Sequence, residues 1–253
     1  MAMPARAKLN LDLQVVRRRT DGMHELRTHM QAVELHDLLV VEPGESTSLS
    51  ISGFEVAGDA TNSVLRAHGA VESAARKELP TRFWLHKRIP PGSGLGGASS
   101  DAAAAMRALQ RMHGLKLDLR EIAAGIGADV TFFLGGGTAR VEGIGDQVTP
   151  VREWSRWYAI AWPGVELSTA AVYQAWDELE LGERHGPNDL RAAAERADAS
   201  IKRFADDLGE GWQMTGSGSA FFLPCVDQST AEKAVKRLDC WTAVTYSVGA
   251  WTE

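Results

Sequence analysis

Residues 5 to 13 alternate, with Ala5, Ala7, Leu9, Leu11 and Leu13 on one face and Arg6, Lys8, Asn10 and Asp12 on the other, which predicts a strand. Lys8 and Asn10 then project to the same side, roughly 6 to 7 Å apart, a pattern that a solvated strand face also satisfies. Asp21-Gly22 in RRRTDGMHEL marks a turn between two strand-like runs, and DLLVVE and SLSISG predict two more strands separated by Pro43-Gly44. Residues 62 to 79 carry apolar positions at helical spacing behind a capping Thr61 or Asn62. Phe83 to Arg88 reads as a strand leading into the most conspicuous stretch of the chain, PPGSGLGGASSDAAAA, and the helix beyond it runs to a C-capping Gly114.

The second half continues the mixture. LREIAAGIG predicts a short helix ending at Gly125 and Gly127, followed by Ala128-Asp129-Val130; TARVEGIGDQVTPV and WYAIAWPGVEL supply strands, and helices follow at about 169 to 180 and 188 to 208. MTGSGSA, a second glycine-rich loop, abuts the apolar FFLPC and reads as a hairpin turn or a ligand loop. STAEKAVKRLD is an amphipathic helix opened by Ser229 or Thr230, and AVTYSV is a closing strand. The pattern is therefore α+β.

Composition narrows the function classes. A chain of 253 residues with 44% hydrophobic residues can bury one large core or two moderate ones. A net charge of −6 argues against nucleic acid or an acidic membrane surface as partner. No segment approaches the ~18 apolar residues of a membrane span, and the N-terminus lacks a signal-peptide h-region, so a cytoplasmic protein is expected. Cys225 and Cys240 have no CxxC spacing and read as buried thiols. His24, His29 and His36 fit no usual metal spacing, and no metal site is assigned to protein ligands.

Four glycines in the six residues Gly92 to Gly97, feeding a helix for which Ser99, Ser100 and Asp101 predict the cap, read as a phosphate site: free amides and the positive end of a helix dipole converge there. Gly92, Gly94 and Gly97 satisfy GxGxxG, but the motif lies mid-chain with no acid closing a following parallel strand about twenty residues on, so a dinucleotide fold fits poorly. GK[ST] is absent, so an ordinary P-loop fails too. Phosphoryl transfer needs a cradle for donor phosphates, positive charge for the transferred group and a group to orient or deprotonate the acceptor. The glycine loop, Lys8 and Asp129 meet these needs in that order, with Ser99 or Ser100 offering a hydroxyl to magnesium or phosphate. On its own, Gly-Ala-Asp is also an ordinary turn aspartate.

AKLNL, PPGSGLGGASSDAAAA and TGSGSA, in this order, resemble the three motifs of the GHMP kinase superfamily. RRTDGMHEL, IGADVTFFLGGGTARVEGIGD and MTGSGSAFF are similar to its family of 4-diphosphocytidyl-2-C-methyl-D-erythritol kinases, over most of residues 4 to 173 and 212 to 223. The resemblance implies a two-lobed α+β fold: an N-terminal lobe of ribosomal protein S5 domain 2-like type over residues 1–153 and a ferredoxin-like C-terminal lobe over 154–253. It implies ATP held by Pro90, Pro91, Gly92, Ser93, Gly94, Leu95, Gly96, Gly97, Ala98, Ser99 and Ser100, with Mg2+ carried on the nucleotide and Asn62 near the adenine. It makes Asp129 the general base toward the substrate 2-hydroxyl and Lys8 the group that orients Asp129 and polarises that hydroxyl; a nearby ammonium would keep Asp129 ionised. Asn10 would contact the substrate, a cytidine diphosphate conjugate of methylerythritol; His24 would read the cytosine edge, and Ile144, Thr169 and Tyr173 would line the cytidine pocket.

Two departures accompany the match. Met23 stands where the family usually carries an aromatic, and the chain is shorter than usual between residues 178 and 212. Two other functions compete: a GHMP kinase for another alcohol, homoserine or mevalonate-like, against which the DGMH turn speaks, and a nucleotide-binding paralogue without catalysis. None of the motifs specifies an oligomeric state.

Overall fold

A computed structural model describes residues 1–152, 155–180 and 186–251. The expected lobe boundary at 153/154 lies outside the described residues.

The first sheet has seven strands. Its spine is β3 (His24–Pro43), a 20-residue strand that joins what the sequence presents as two segments, HEL and DLLVVE. Along its length β3 pairs antiparallel with β1 (Ala2–Asn10), β2 (Gln14–Arg18), β5 (Thr81–Lys87) and β6 (Thr138–Gly143). β4 (Ser48–Gly53) lies parallel to β5, and β7 (Gln147–Pro150) closes the other edge on β6. Four helices bear on this sheet: α1 (Ser63–Ala75), α2 (Gly97–His113), α3 (Leu119–Ala124) and α4 (Ala128–Gly135). Their apolar positions, among them Val64, Val71, Met106 and Phe132, bury against Leu39, Val41, Phe83 and Leu85 of the strands.

The second sheet has four antiparallel strands in the order β11-β8-β10-β9, with β8 (Trp157–Trp162), β9 (Gln213–Met214), β10 (Phe221–Cys225) and β11 (Trp241–Tyr246). Helices α5 (Thr169–Asp177), α6 (Arg191–Ala197), α7 (Ala199–Leu208) and α8 (Gln228–Val235) follow the same half of the chain. The continuous apolar run of β8 is explained by burial on both faces. Ala159 and Ala161 face a core with Val172, Trp176 and Ile201, whereas Tyr158, Ile160 and Trp162 meet Ala7, Leu9, Ile89 and Leu95 from the first half. After β11 the chain returns to the first sheet, where Val248 N–H donates to Ala32 C=O and Trp251 N–H to Gly135 C=O.

Several local expectations are corrected. A register shift between Arg6 and Lys8 breaks the alternation of β1, so Ala5 faces the helix-side core while Ala7 and Leu9 face the core between the sheets. Lys8 and Asn10 lie on no solvated face: each is 3% exposed. Helix α2 begins at Gly97, ahead of the Ser-Ser-Asp group, behind a left-handed Gly96 that offers no side-chain cap. Asp129 is in the first turn of α4 rather than in a turn. The helix expected over 188 to 208 is two, because Asp198 is extended and turns its carboxylate to the Ser200 N–H as an N-cap. Asp227, not Ser229 or Thr230, caps α8. Cys225 and Cys240 are free thiols, and among the described residues no helix is long and apolar enough to cross a membrane.

Asn62 caps α1. Its Oδ1 accepts from Val64 N–H at 2.9 Å and its Nδ2 donates to Ala57 C=O at 2.6 Å. Asn62→Ala is expected to lower the unfolding free energy by about 1–2 kcal/mol, measured by urea unfolding.

Candidate active site

The glycine loop between β5 and α2 is fixed from one side. Four of its carbonyls are bound by the protein: Pro90 O accepts from Ser93 Oγ, Gly92 O from Leu167 N–H, Ser93 O from Ala220 N–H and Leu95 O from Lys8 N–H. Its amides from Gly94 to Ser99 donate to no group among the described residues. Carbonyls inward and amides outward, at the start of a 17-residue helix, are the arrangement an anion cradle requires. Leu95, wholly buried between the sheets, anchors it.

The second glycine loop, TGSGSA between β9 and β10, lies directly against the first. Gly94 adopts φ +78°, and a Cβ there would stand 2.4 Å from Thr215 O and 2.9 Å from Gly218 O. Asn188, from the HGPNDL segment, holds the second loop by donating from Nδ2 to Met214 O and Gly216 O, both at 2.9 Å. The second loop is therefore part of the site wall and not a mere hairpin turn.

Lys8 reaches this junction from β1. Its Nζ donates to Asn10 Oδ1 at 2.5 Å and stands 3.6 Å from Asp129 Oδ2. Asn10 is held in turn: its Nδ2 donates to Thr28 Oγ1 at 2.9 Å, its N–H donates to Thr215 Oγ1 at 2.9 Å, and Thr28 Oγ1 donates to Asp12 O. Burial pulls the Lys8 ammonium below its ordinary pKa, with the Asp129 charge pulling the other way. The Asp129 side chain keeps 28% exposure, so it faces open space on the side away from Lys8.

Two cavities meet at Asp129. One, about 320 Å3, is lined by Lys8, Asn10, Asp129, Gly216, Ser217 and the first glycine loop. The other, about 840 Å3, is lined by His24, Met23, Ile144, Thr169, Tyr173 and Asp177, and shares Leu26, Asp129, Thr169 and Tyr173 with the first. Of the residues expected to hold nucleotide, Pro90 to Gly94 and Gly96 to Ser99 line the first cavity. Leu95 points into the core, Ser100 is 3% exposed inside α2, and Asn62 caps α1; none of the three lines it. The expected base-reading residues do converge. His24 stacks on Tyr173 with ring centroids 4.6 Å apart, and Thr169 Oγ1 lies 3.0 Å from Ser217 Oγ. Burial, then the charge of Asp129, pushes the Tyr173 phenol well above its ordinary pKa, so it stays neutral.

Sequence reasoning missed a buried charge cluster below the loop. Lys87, at the end of β5, donates to Asp101 Oδ2 at 2.7 Å and to Asp37 Oδ2, and all three are nearly fully buried. Asp37 Oδ1 also accepts from the N–H groups of Arg88 and Ile89, fixing the entry to the loop. One ammonium cannot neutralise two buried carboxylates, and burial pushes Asp101 up to about 8. No group of three or more His, Cys, Asp or Glu residues suited to a metal occurs among the described residues.

Comparison with known proteins supplies the relatives. Residues 62–148 match the family GHMP kinases N terminal domain. The 4-diphosphocytidyl-2-C-methyl-D-erythritol kinase of Shewanella piezotolerans is 33% identical over 264 residues, covering 94% of this chain and 89% of that protein. A crystal structure of a 4-(cytidine 5'-diphospho)-2C-methyl-D-erythritol kinase superposes with a TM-score of 0.84 at 34% identity, over 98% of this chain and 100% of that one. A mevalonate kinase superposes at 0.70 with 10% identity, over 98% and 99% of the chains, and so shares the two-lobed α+β fold.

Two predictions follow from this geometry. Gly94→Ala drives a Cβ into two carbonyls and is expected to weaken binding of an ATP analogue at least about 10-fold, a loss of ~1.4 kcal/mol, read by titration calorimetry. The folded chain also holds an Asp101 proton that the unfolded chain releases above its ordinary pKa of about 4. Stability should therefore fall as pH rises from that value toward about 8 and level off beyond. Asp101→Asn should remove that part of the slope, measured as Tm from about pH 5 to about pH 9.

Proposed function

The chain belongs to the 4-diphosphocytidyl-2-C-methyl-D-erythritol kinases of the GHMP kinase superfamily, and from that membership we propose that it transfers the γ-phosphoryl group of ATP to the 2-hydroxyl of 4-diphosphocytidyl-2-C-methyl-D-erythritol, in the non-mevalonate route to isoprenoid precursors. The observation that carries the reading is the place of Asp129. It lines both cavities, the one under the glycine loop and the one holding His24 and Tyr173, with Lys8 Nζ 3.6 Å away. A donor phosphate in the first and a cytidine in the second leave the acceptor hydroxyl at the wall they share, where Asp129 is the one carboxylate among the shared lining residues.

The reaction joins the acceptor oxygen to the γ-phosphorus, breaks the bond from that phosphorus to the β,γ-bridging oxygen and releases ADP. In this reading Asp129 takes the hydroxyl proton, and its exposed side is where the hydroxyl approaches. Lys8, oriented by Asn10, lends positive charge to the acceptor oxygen and the phosphoryl group as charge builds there. Free amides from Gly94 to Ser99 hold the donor phosphates, and Ser99, which lines the cavity, offers a hydroxyl. Magnesium fits as an ion brought by the nucleotide: the cavity wall supplies hydroxyl and amide groups rather than a carboxylate cage, and the ion would lower the charge of the transferring phosphates. The same proposal carries a cytoplasmic setting and two lobes divided at 153/154.

Purified protein given ATP, magnesium and the cytidylyl substrate should release ADP, followed in a coupled assay. Asp129→Asn should lower kcat by about 10²- to 10⁴-fold and Lys8→Met by about 10²- to 10³-fold. Faster turnover on homoserine or mevalonate would reject the acceptor, and full activity in Asp129→Asn would reject the base.

A further inference from the structure

The wall of the larger cavity contains an ion-paired carboxylate that neither the glycine loop nor the Lys8–Asp129 pair requires. Asp177 is the last residue of α5, where the negative end of the helix dipole disfavours an acid. It is nevertheless held there by two groups from the β2–β3 hairpin: Arg18 Nη1 at 3.2 Å from Oδ2 and His24 Nε2 at 2.7 Å from Oδ1. Helix stability does not account for a carboxylate in this place; contact with the imidazole does.

The His24 ring is constrained on three sides. Tyr173 stacks on it at 4.6 Å and 24°, Trp176 meets it edge-on at 5.4 Å, and Asp177 takes Nε2. The His24 side chain is 9% exposed, and its Nδ1 has no hydrogen-bond partner among the described residues. A carboxylate only accepts, so Nε2 must carry the proton, and in the neutral ring Nδ1 then presents a lone pair. Without Asp177 either nitrogen could carry that proton.

We propose that Asp177 is a positioning residue for nucleobase selection: by accepting from His24 Nε2–H it makes Nδ1 an obligate acceptor, which pairs with the exocyclic amine of cytosine and repels the carbonyl oxygen that uracil has in its place. A site built to accept from an amine rejects the analogue that lacks it, because two lone pairs then face each other in a partly dry pocket. Arg18 holds the second oxygen of Asp177 and keeps the carboxylate from rotating away. This inference rests on the cytidine-conjugate reading of the site.

The test uses the whole chain in two measurements. In the ¹⁵N–¹H spectrum of protein labelled at histidine, with the His24 signal identified by its loss in His24→Gln, the wild type should show the Nε2–H tautomer and Asp177→Ala a mixture. By calorimetry the wild type should bind CDP about 10-fold or more tighter than UDP. Asp177→Ala should lose most of that preference while binding an ATP analogue as the wild type does, which shows that the variant is folded. Asp177→Asn, whose side-chain carbonyl can still accept from Nε2, should recover part of it. A wild type that prefers CDP, with Asp177→Ala keeping both the preference and the tautomer, overturns this inference alone. A wild type that binds CDP no better than UDP overturns the cytidine reading and this inference together.

Discussion

The site depends on two glycine-rich loops, one from each sheet, packed backbone against backbone. Ser93 O accepts from Ala220 N–H, and Gly94 lies so near Thr215 and Gly218 that no side chain fits between them. Each loop thereby turns its carbonyls toward protein, and the first loop is left with amides facing the cavity. The cradle is a consequence of how the sheets meet and not a property of the loop in isolation. Leu95 makes the same point from the apolar side, because it buries with Ile89, Ile160 and Phe222 in the core between the sheets.

Two buried lysines face the same cavity under different constraints. Lys87 is closed in by Asp37, which also pins the loop entry, and by Asp101, so its charge is satisfied inside the fold and breaking the set would strand a buried ion. Lys8 has an amide oxygen at 2.5 Å and one partly exposed carboxylate at 3.6 Å. Its charge is oriented but incompletely neutralised, which is the state needed to answer charge that appears only during phosphoryl transfer. The chain from Lys8 through Asn10 and Thr28 to Asp12 O explains how a flexible side chain keeps one direction.

Much of this was legible in the residue pattern because it depended on short-range rules. The glycine loop, the strand carrying Lys8 and Asn10, the DG turn and the helix ending at Gly114 are all local signals. What escaped was made by pairing over distance. Asp37, Lys87 and Asp101 sit on unremarkable periodic segments, and only the register of β3 on β5, with Leu38 opposite His86, brings the first two together. The shift between Arg6 and Lys8 escaped for a related reason, since a strand that touches one core at Ala5 and another at Ala7 cannot be recognised from alternation. Asn62 was legible in its local role, as the cap of α1, while its bond to Ala57 was not.

Met23 can be understood from the same geometry. It sits in the β2–β3 turn, 49% exposed, while the aromatic surface of the larger cavity comes from Tyr173 on α5, already stacked on His24. A base entering there meets a rigid ring from the helix side and a flexible thioether from the turn side. The thioether contributes dispersion without fixing a plane, so the orientation of the base must come from polar groups on its edge. In this chain more of the discrimination therefore rests on the His24 ring than it would if both sides were aromatic.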